Sequence, residues 1–189
     1  MNSKNNDRYI LHCLLPPEIV QFHRNLVNEI AEETGLRLTQ LQGLSAHFTL
    51  KYYFRTSDIQ PVESAIEAFC RTAKSAPVRL EGLGNFNENV LFFDVQLSEE
   101  AKITFLGLNE TLAAFKWMQW DQYDRGNIHF HMTIAEECGD KFESAFRIAS
   151  ARNRSFDVAL DNITILRETE VRDGIDYWEI YKKLPIRNQ

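Results

Sequence analysis

The 189-residue sequence contains little glycine, proline or cysteine. Its 8 Gly and 5 Pro are too few for a fibrous or disordered chain, in which these residues are abundant. Its 3 cysteines, Cys13, Cys70 and Cys138, are dispersed and form neither a C-x-x-C pair nor a disulfide framework. We therefore expect a globular protein with a hydrophobic core, located in the reducing cytoplasm.

The sequence also lacks a membrane-spanning segment, an excess of positive charge and the common phosphate-binding loops. No uncharged apolar stretch approaches the roughly 18 to 20 residues that span a bilayer. Lys and Arg total 21 against 27 Asp and Glu, giving a net charge of −6, so no general basic field attracts DNA or a long RNA duplex. Neither G-x-x-x-x-G-K-[ST] nor G-x-G-x-x-G occurs. We expect no membrane or DNA partner, and any phosphate must be held locally.

Hydrophobic periodicity divides the first half of the chain into alternating strands and helices. Apolar residues alternate in a half-buried strand and recur at i, i+3 and i+4 in a helix. Residues 1–8 are polar and aperiodic, which predicts a flexible tail. After it we predict a strand over 9–15, a helix from Pro16 to Gly35, a strand over 47–55, a helix over 61–74 and an extended segment over 77–83.

The second half repeats this order of elements. We predict a strand over 90–97, a helix that Ser98 caps and that runs to Phe115, a strand over 128–135, a helix over 140–150 and late strands over 156–166 and 177–184. The spacing agrees as well, since 32 residues separate Leu15 from His47 and 34 separate Leu97 from His131. We therefore predict one α+β domain over 9–189, bilobal and internally duplicated, with halves at roughly 9–83 and 89–184.

One motif occurs at the equivalent place in both halves. His47-Phe48-Thr49-Leu50 and His131-Met132-Thr133-Ile134 are both His-x-Thr-x. Because strand side chains alternate, the His and Thr of each motif share one face, about 6.5 to 7 Å apart, and the intervening residues face the core. If a pseudo-twofold axis relates the halves, two imidazoles and two hydroxyls surround one point.

This set of groups suits reaction at a phosphodiester. One group must take a proton from the attacking oxygen and another must give a proton to the leaving oxygen, and imidazole does both near neutral pH. The threonine hydroxyls can donate hydrogen bonds to the non-bridging oxygens. We predict His47, Thr49, His131 and Thr133 as catalytic residues, in a scheme that requires no metal and no cofactor.

With these motifs the sequence resembles the two-histidine (2H) phosphoesterases, which include the RNA 2′,3′-cyclic phosphodiesterase/2′-5′ RNA ligase branch. The resemblance covers roughly residues 9–184 and is most specific at SAHFTLKYYF and FHMTIA. It implies two β-α-β-α-β lobes, with mostly antiparallel sheets flanking a central groove. Family members often have Pro before a motif His, whereas Ala46 and Phe130 stand there in this chain.

The resemblance also implies what the residues do. His47 and His131 would be the acid and the base, and Thr49 and Thr133 would bind the phosphate. The substrate would be an RNA terminus with a 2′,3′-cyclic phosphate or 2′-5′ linkage, or a small nucleotide or sugar cyclic phosphate, and we expect the protein to act as a monomer.

Other polar residues lie near the motifs. Lys51 and Tyr53 continue the alternation of His47 and Thr49, so we predict that Lys51 meets a phosphate and that Tyr53 stacks on a base or sugar. Arg125 lies in the polar stretch 121–127 before the second motif, where a mobile loop over the groove could use it to clamp phosphate. The alternative for Lys51 and Tyr53 is a strand end where polar side chains meet water, and the alternative for Arg125 is a solvated loop. The tryptophans, Trp117, Trp120 and Trp178, are interpreted as core or loop anchors.

The remaining histidines are harder to assign. His129 shares the face of His131 and could either support it or, with further ligands, bind Zn²⁺. We expect His12 to pack within its strand and His23 to lie on a solvated helix face. The rival functions are a catalytically silent nucleotide or RNA-end binding module, a zinc-dependent hydrolase built on His129 and His131, and a scaffold whose histidines are structural.

Overall fold

The computed structural model describes residues 6–186 and contains eight strands and five α-helices over that range. The strands are β1 Asp7–Leu14, β2 His47–Thr56, β3 Ala76–Phe86, β4 Val90–Leu97, β5 His131–Glu136, β6 Phe156–Leu160, β7 Asn162–Arg172 and β8 Ile175–Pro185. The helices are α1 Pro17–Thr34, α2 Leu38–Gln42, α3 Gln60–Thr72, α4 Glu99–Ala113 and α5 Phe142–Ala151. Single 3-10 turns occupy Arg125–Asn127 and Gly139–Lys141.

The strands form two four-stranded sheets in which every pairing is antiparallel. The first sheet has the order β2-β1-β7-β8 and the second has the order β5-β4-β3-β6. The predicted α+β class with antiparallel sheets is confirmed. Strands at the end of each predicted half, however, belong to the other sheet: β3 of the first half pairs with β4, and β7 and β8 of the second half join the first sheet, where β7 pairs with β1. The halves 9–83 and 89–184 therefore repeat an order of elements, but neither half forms a sheet by itself.

The helix ends follow the sequence signals. Pro16 precedes α1 in an extended conformation, and Gly35 ends the helix with φ 77°, a left-handed conformation that glycine adopts without strain. Ser98 caps α4 by accepting a hydrogen bond from the Ala101 N–H at 3.2 Å. Helices α1 and α5 pack together, as do α3 and α4, and their apolar faces join one buried cluster that spans both sheets.

Three element boundaries differ from the predictions. The apolar run 156–166 is broken at Asp161, because the chain leaves the second sheet after Leu160 and enters the first at Asn162. The strand predicted over 128–135 begins only at His131, and the short helix α2 was not predicted.

At the N-terminus, Asp7 and Arg8 of the predicted tail belong to β1, where they pair with Thr56 and Arg55. The rest of that tail, residues 1–5, lies outside the described range. No helix within 6–186 is long and apolar enough to cross a membrane.

Candidate active site

The two His-x-Thr-x motifs lie on the outer strand of each sheet, β2 and β5, and these strands contact each other. His47 and Thr49 from β2, and His131 and Thr133 from β5, line one cavity of about 150 Å³. The intervening residues are buried, with Phe48 and Met132 both 0% exposed. The prediction that the motifs face one another is therefore confirmed as geometry, while the role of each residue stays a prediction.

Both motif histidines are held by the same hydrogen bond. Nδ1 of His47 lies 2.7 Å from the carbonyl oxygen of Ser45, and Nδ1 of His131 lies 2.7 Å from that of His129. Because a carbonyl oxygen only accepts, each Nδ1 must carry a proton and donate it. Nε2 is then the nitrogen through which each ring can accept or give a proton in the cavity.

The surroundings make both imidazoles weak bases. Burial, reinforced by the nearby His23 and His131, lowers the pKa of His47 to about 4 against the opposing hydrogen bond to Ser45. Burial and His129 lower the pKa of His131, whereas the His129 carbonyl and the charge of Asp94 act in the opposite direction. Without ligand, both rings are neutral at pH 7, and a bound phosphate anion raises both pKa values because it stabilises imidazolium.

Two further histidines support the motif residues. The buried ring of His12 stacks on His47, with centroids 3.7 Å apart and planes 10° apart, and neither of its ring nitrogens has a hydrogen-bond partner in 6–186. Nε2 of His23 donates to the carbonyl oxygen of Thr133 at 2.7 Å. The strand-packing expectation for His12 is confirmed, but the solvated position predicted for His23 is wrong. Its spacing from Ile19 and Leu26 places it on the apolar face of α1 and could have revealed this.

A β-bulge follows the threonine in each motif strand. His12 is paired with Thr49 and Leu11 with Lys51, so Leu50 is the extra residue in β2. The alternation reverses there, and Lys51 is turned into the core, where it is 0% exposed and its Nζ lies 2.7 Å from Oδ2 of Asp124. The prediction that Lys51 faces the groove is wrong for this reason. Tyr52 lines the cavity instead.

The second motif strand repeats the same bulge. Phe92 is paired with Thr133 and Leu91 with Ala135, so Ile134 is the extra residue. Glu136 thereby takes the position in β5 that Tyr52 has in β2, and it lines the cavity. Sequence reasoning missed both Tyr52 and Glu136, although the consecutive apolar residues Ile134 and Ala135 before Glu136 are a signal of the reversed alternation.

Tyr53 lies at the rim of the cavity, as the sequence predicted, and is 43% exposed. Its ring stacks on that of Trp178 with centroids 5.5 Å apart and planes 12° apart, and the Arg8 guanidinium lies 3.7 Å from the Tyr53 centroid. Arg8 also donates to Asp176 at 2.9 Å. Trp178 thus lines the cavity rather than anchoring the core, because its ring reaches that of Tyr53 although β8 and β2 are the opposite edges of the sheet.

His129 and Arg125 lie outside this cavity. Nε2 of His129 donates to Oδ1 of Asp94 at 2.7 Å, and no group of three or more His, Cys, Asp or Glu side chains within 6–186 is placed to hold a metal. Arg125 packs over the Trp120 ring at 4.1 Å and lines a neighbouring cavity of about 560 Å³ together with His129. The predicted phosphate clamp is therefore not in the histidine cavity.

The polar stretch that contains Arg125 is anchored to β2. Asp124 accepts hydrogen bonds from the backbone N–H groups of Tyr52 at 2.9 Å and Asp121 at 2.7 Å, besides that from Lys51. A buried carboxylate with three donors holds this segment in place, in contrast to the mobile loop that the sequence suggested.

An antiparallel scaffold with paired His-x-Thr-x strands around one cavity is the arrangement expected of the two-histidine phosphoesterase class. The model of the 2′-5′ RNA ligase superfamily matches residues 15–172, and the chain belongs to that superfamily. A comparison with curated proteins finds no match.

Solved structures share the fold at low identity. A structure described as a phosphoesterase has a TM-score of 0.61 and 14% identity, covering 98% of this chain and 100% of that one. The structure of TT0787 of Thermus thermophilus has a TM-score of 0.60 and 16% identity, covering 96% of this chain and 99% of that one. The structure of Escherichia coli LigT with NADP+ has a TM-score of 0.60 and 12% identity, covering 98% of this chain and 99% of that one. Identities this low establish similarity of fold alone.

Proposed function

We propose that this protein is a metal-independent phosphodiesterase that acts on RNA ends with a 2′,3′-cyclic phosphate or 2′-5′ linkage, or on a small nucleotide or sugar cyclic phosphate. The observation that carries the proposal is the matched pair of Nδ1–H to carbonyl hydrogen bonds, which leaves both Nε2 atoms available in a cavity that also contains both threonines.

We infer the base and the acid for hydrolysis from the surroundings of the two rings. His47, whose pKa is lowered to about 4, remains neutral and takes the proton of the attacking water at Nε2. Burial lowers the pKa of His131 too, but the His129 carbonyl and the charge of Asp94 oppose this, so His131 is the residue that we expect to become protonated when the phosphate anion binds, and it gives its Nε2 proton to the leaving ribose oxygen. For ligation, the two roles are exchanged.

The bond changes are those of one displacement at phosphorus. The water oxygen bonds to phosphorus while the bond from phosphorus to one ribose oxygen breaks, which yields a phosphomonoester and a ribose hydroxyl. The hydroxyls of Thr49 and Thr133 donate hydrogen bonds to the non-bridging oxygens, where negative charge is redistributed in the transition state. No metal ion is needed to balance this reaction.

Two comparisons support a nucleotide or RNA end as substrate. The superfamily is named for 2′-5′ RNA ligation, and Escherichia coli LigT has been solved with 3′-AMP and with ATP as well as with NADP+. A 2′,3′-cyclic phosphate or a 2′-5′ linkage requires a ribose 2′-oxygen, so DNA is not a substrate for this chemistry.

The test is hydrolysis of nucleoside 2′,3′-cyclic phosphates in excess chelator by the wild type, His47→Ala, His131→Ala and the neighbouring control His129→Ala. We expect wild-type turnover to survive chelation, and each motif variant to lower kcat by about 10²- to 10⁴-fold, the usual contribution of general acid–base catalysis. His129→Ala should cost far less. Loss of activity in His129→Ala with retention in His47→Ala would contradict the assignment.

The second candidate is a binding module with the same pocket and no turnover. It is favoured by the burial that lowers the pKa of both histidines, because an acid must first be protonated for turnover. Well-folded wild type that shows a ligand-induced rise in melting temperature but forms no product would establish the module and exclude the enzyme.

A further inference from the structure

The cavity has a second end, away from the motif histidines. Helix α2 contacts β5 and β8 there. We name this end the distal pocket and define it by residues that line the cavity and lie beyond the two motif threonines: Thr39, Gln42, Tyr53, Glu136 and Trp178. It combines an aromatic wall with an amide and a carboxylate, the groups that recognise a nucleobase by stacking and by directional hydrogen bonds.

Glu136 is aimed into this pocket by the bulge at Ile134. It lies three residues beyond Thr133 on the same strand, which with one bulge is about 7 to 10 Å. Its charge acts on Tyr53 across the pocket, where it adds to the effect of burial in raising the pKa of the Tyr53 hydroxyl. Glu136 and Tyr53 therefore face the same ligand volume.

Among the described residues, Glu136 is also an acidic group without a cation partner, in a cavity that is proposed to receive an anion. No Lys or Arg among the described residues lines that cavity. The other lining carboxylate, Asp176, is paired with Arg8 at 2.9 Å. Within 6–186 the one hydrogen bond to the Glu136 carboxylate that the structure gives comes from the Thr39 hydroxyl, which donates to Oε2 at 3.4 Å, and burial raises the pKa of Glu136. Such a carboxylate is stabilised by a ligand that donates hydrogen bonds.

On the basis of the proposed function, we propose that Glu136 binds the N–H edge of a nucleobase and makes the protein selective for guanine over uracil. The ribose oxygens of a cyclic phosphate are bonded to phosphorus and stay beside the histidines, whereas the base lies on the far side of the ribose and can reach the distal pocket. Guanine has two adjacent donors, N1–H and the 2-amino group, that match one carboxylate. In uracil the single N3–H lies between two carbonyl oxygens, which repel a carboxylate.

The test compares closely matched substrates. Guanosine and inosine 2′,3′-cyclic phosphates differ only by the 2-amino group, uridine 2′,3′-cyclic phosphate has the unfavourable edge, and the methyl riboside 2′,3′-cyclic phosphate has no base. For the wild type we expect kcat/KM to be at least about tenfold higher with guanosine than with inosine, the effect of one hydrogen bond to a charged group, and lowest for uridine among the three bases.

The variants are Glu136→Gln and the control Glu137→Gln, which makes the same change of charge at the next, exposed residue. Glu136→Gln should bring the guanosine-to-inosine ratio close to one, and Glu137→Gln should keep the wild-type ratio. Equal wild-type rates with all three bases, or an unchanged ratio in Glu136→Gln, would overturn the inference while leaving the phosphodiesterase intact.

Absence of turnover with every substrate, including the base-free riboside, would instead refute the proposed function. Calorimetric titration with guanosine and inosine 3′-monophosphates then tests Glu136 separately. Tighter binding of the guanosine compound, lost in Glu136→Gln, supports the inference, and equal binding overturns it.

Discussion

The ring stack between His12 and His47 gives a prediction that tests how the proposed catalytic base, His47, is kept neutral. His12 is 2% exposed and covers one face of His47 at a centroid distance of 3.7 Å. His12→Ala removes this cover and admits water, which weakens the desolvation that is the main cause of the low pKa of His47. His12→Phe is the matched control, because it keeps an aromatic ring over His47.

The magnitude follows from the two limiting pKa values. With a pKa of about 4, about nine-tenths of His47 is neutral at pH 5, whereas with the ordinary histidine value of about 6.5 only about 3% is neutral. Protonated His47 cannot act as the base. His12→Ala should therefore lower kcat/KM at pH 5 by up to about thirtyfold and shift the acidic limb of the pH profile to higher pH, with little effect at pH 7.5 from this cause.

The assay is the pH profile of kcat/KM for a nucleoside 2′,3′-cyclic phosphate, together with NMR titration of the His47 ring. His12→Phe should keep the wild-type acidic limb. It should also unfold at the same or a higher urea concentration, since it removes two buried ring nitrogens that have no hydrogen-bond partner in residues 6–186. An acidic limb that is identical in wild type and well-folded His12→Ala would refute the stacking argument.

Two further perturbations test the surroundings of the motifs. Asp124→Asn leaves the buried Lys51 ammonium without its counter-charge and should lower the free energy of unfolding by about 3 to 5 kcal/mol, measured by urea denaturation; a loss below about 1 kcal/mol would contradict a buried ion pair. Asp94→Asn removes a charge that raises the pKa of His131, so the alkaline limb of kcat/KM should move to lower pH; a His131 pKa that falls by NMR titration while the limb stays in place would show that His131 is not the acid.

Element type and the paired motifs could be predicted from the sequence because both depend on local periodicity. Ser98 before α4 and Gly35 after α1 are capping signals that act within a single turn, and the helices begin and end close to them. Alternation around His47 and His131 likewise predicts which side chains face the core. These features depend on neighbours in sequence.

The features that could not be predicted depend on partners that are distant in sequence. The apolar positions in 156–166 change phase across Asp161 and Asn162, which marks a break in the strand, but this pattern does not show that the chain passes from one sheet to the other there. The pairing of β3 with β4 and of β7 with β1 could not be predicted for the same reason. These partners are determined by packing of the whole chain.

The bulges show how a repeated irregularity can be functional. In both motif strands the last residue of His-x-Thr-x, Leu50 or Ile134, is the extra residue of the bulge. The first residue after it therefore turns into the core, and the second lines the cavity. In β2 this buries Lys51 and admits Tyr52, and in β5 it buries Ala135 and admits Glu136. The bulge therefore keeps the histidines and threonines in equivalent positions and lets the two lobes differ in the residue beyond them. If the two motifs perform the proposed chemistry, the unlike pair of Tyr52 and Glu136 is where we expect the groove to distinguish one end of its substrate from the other.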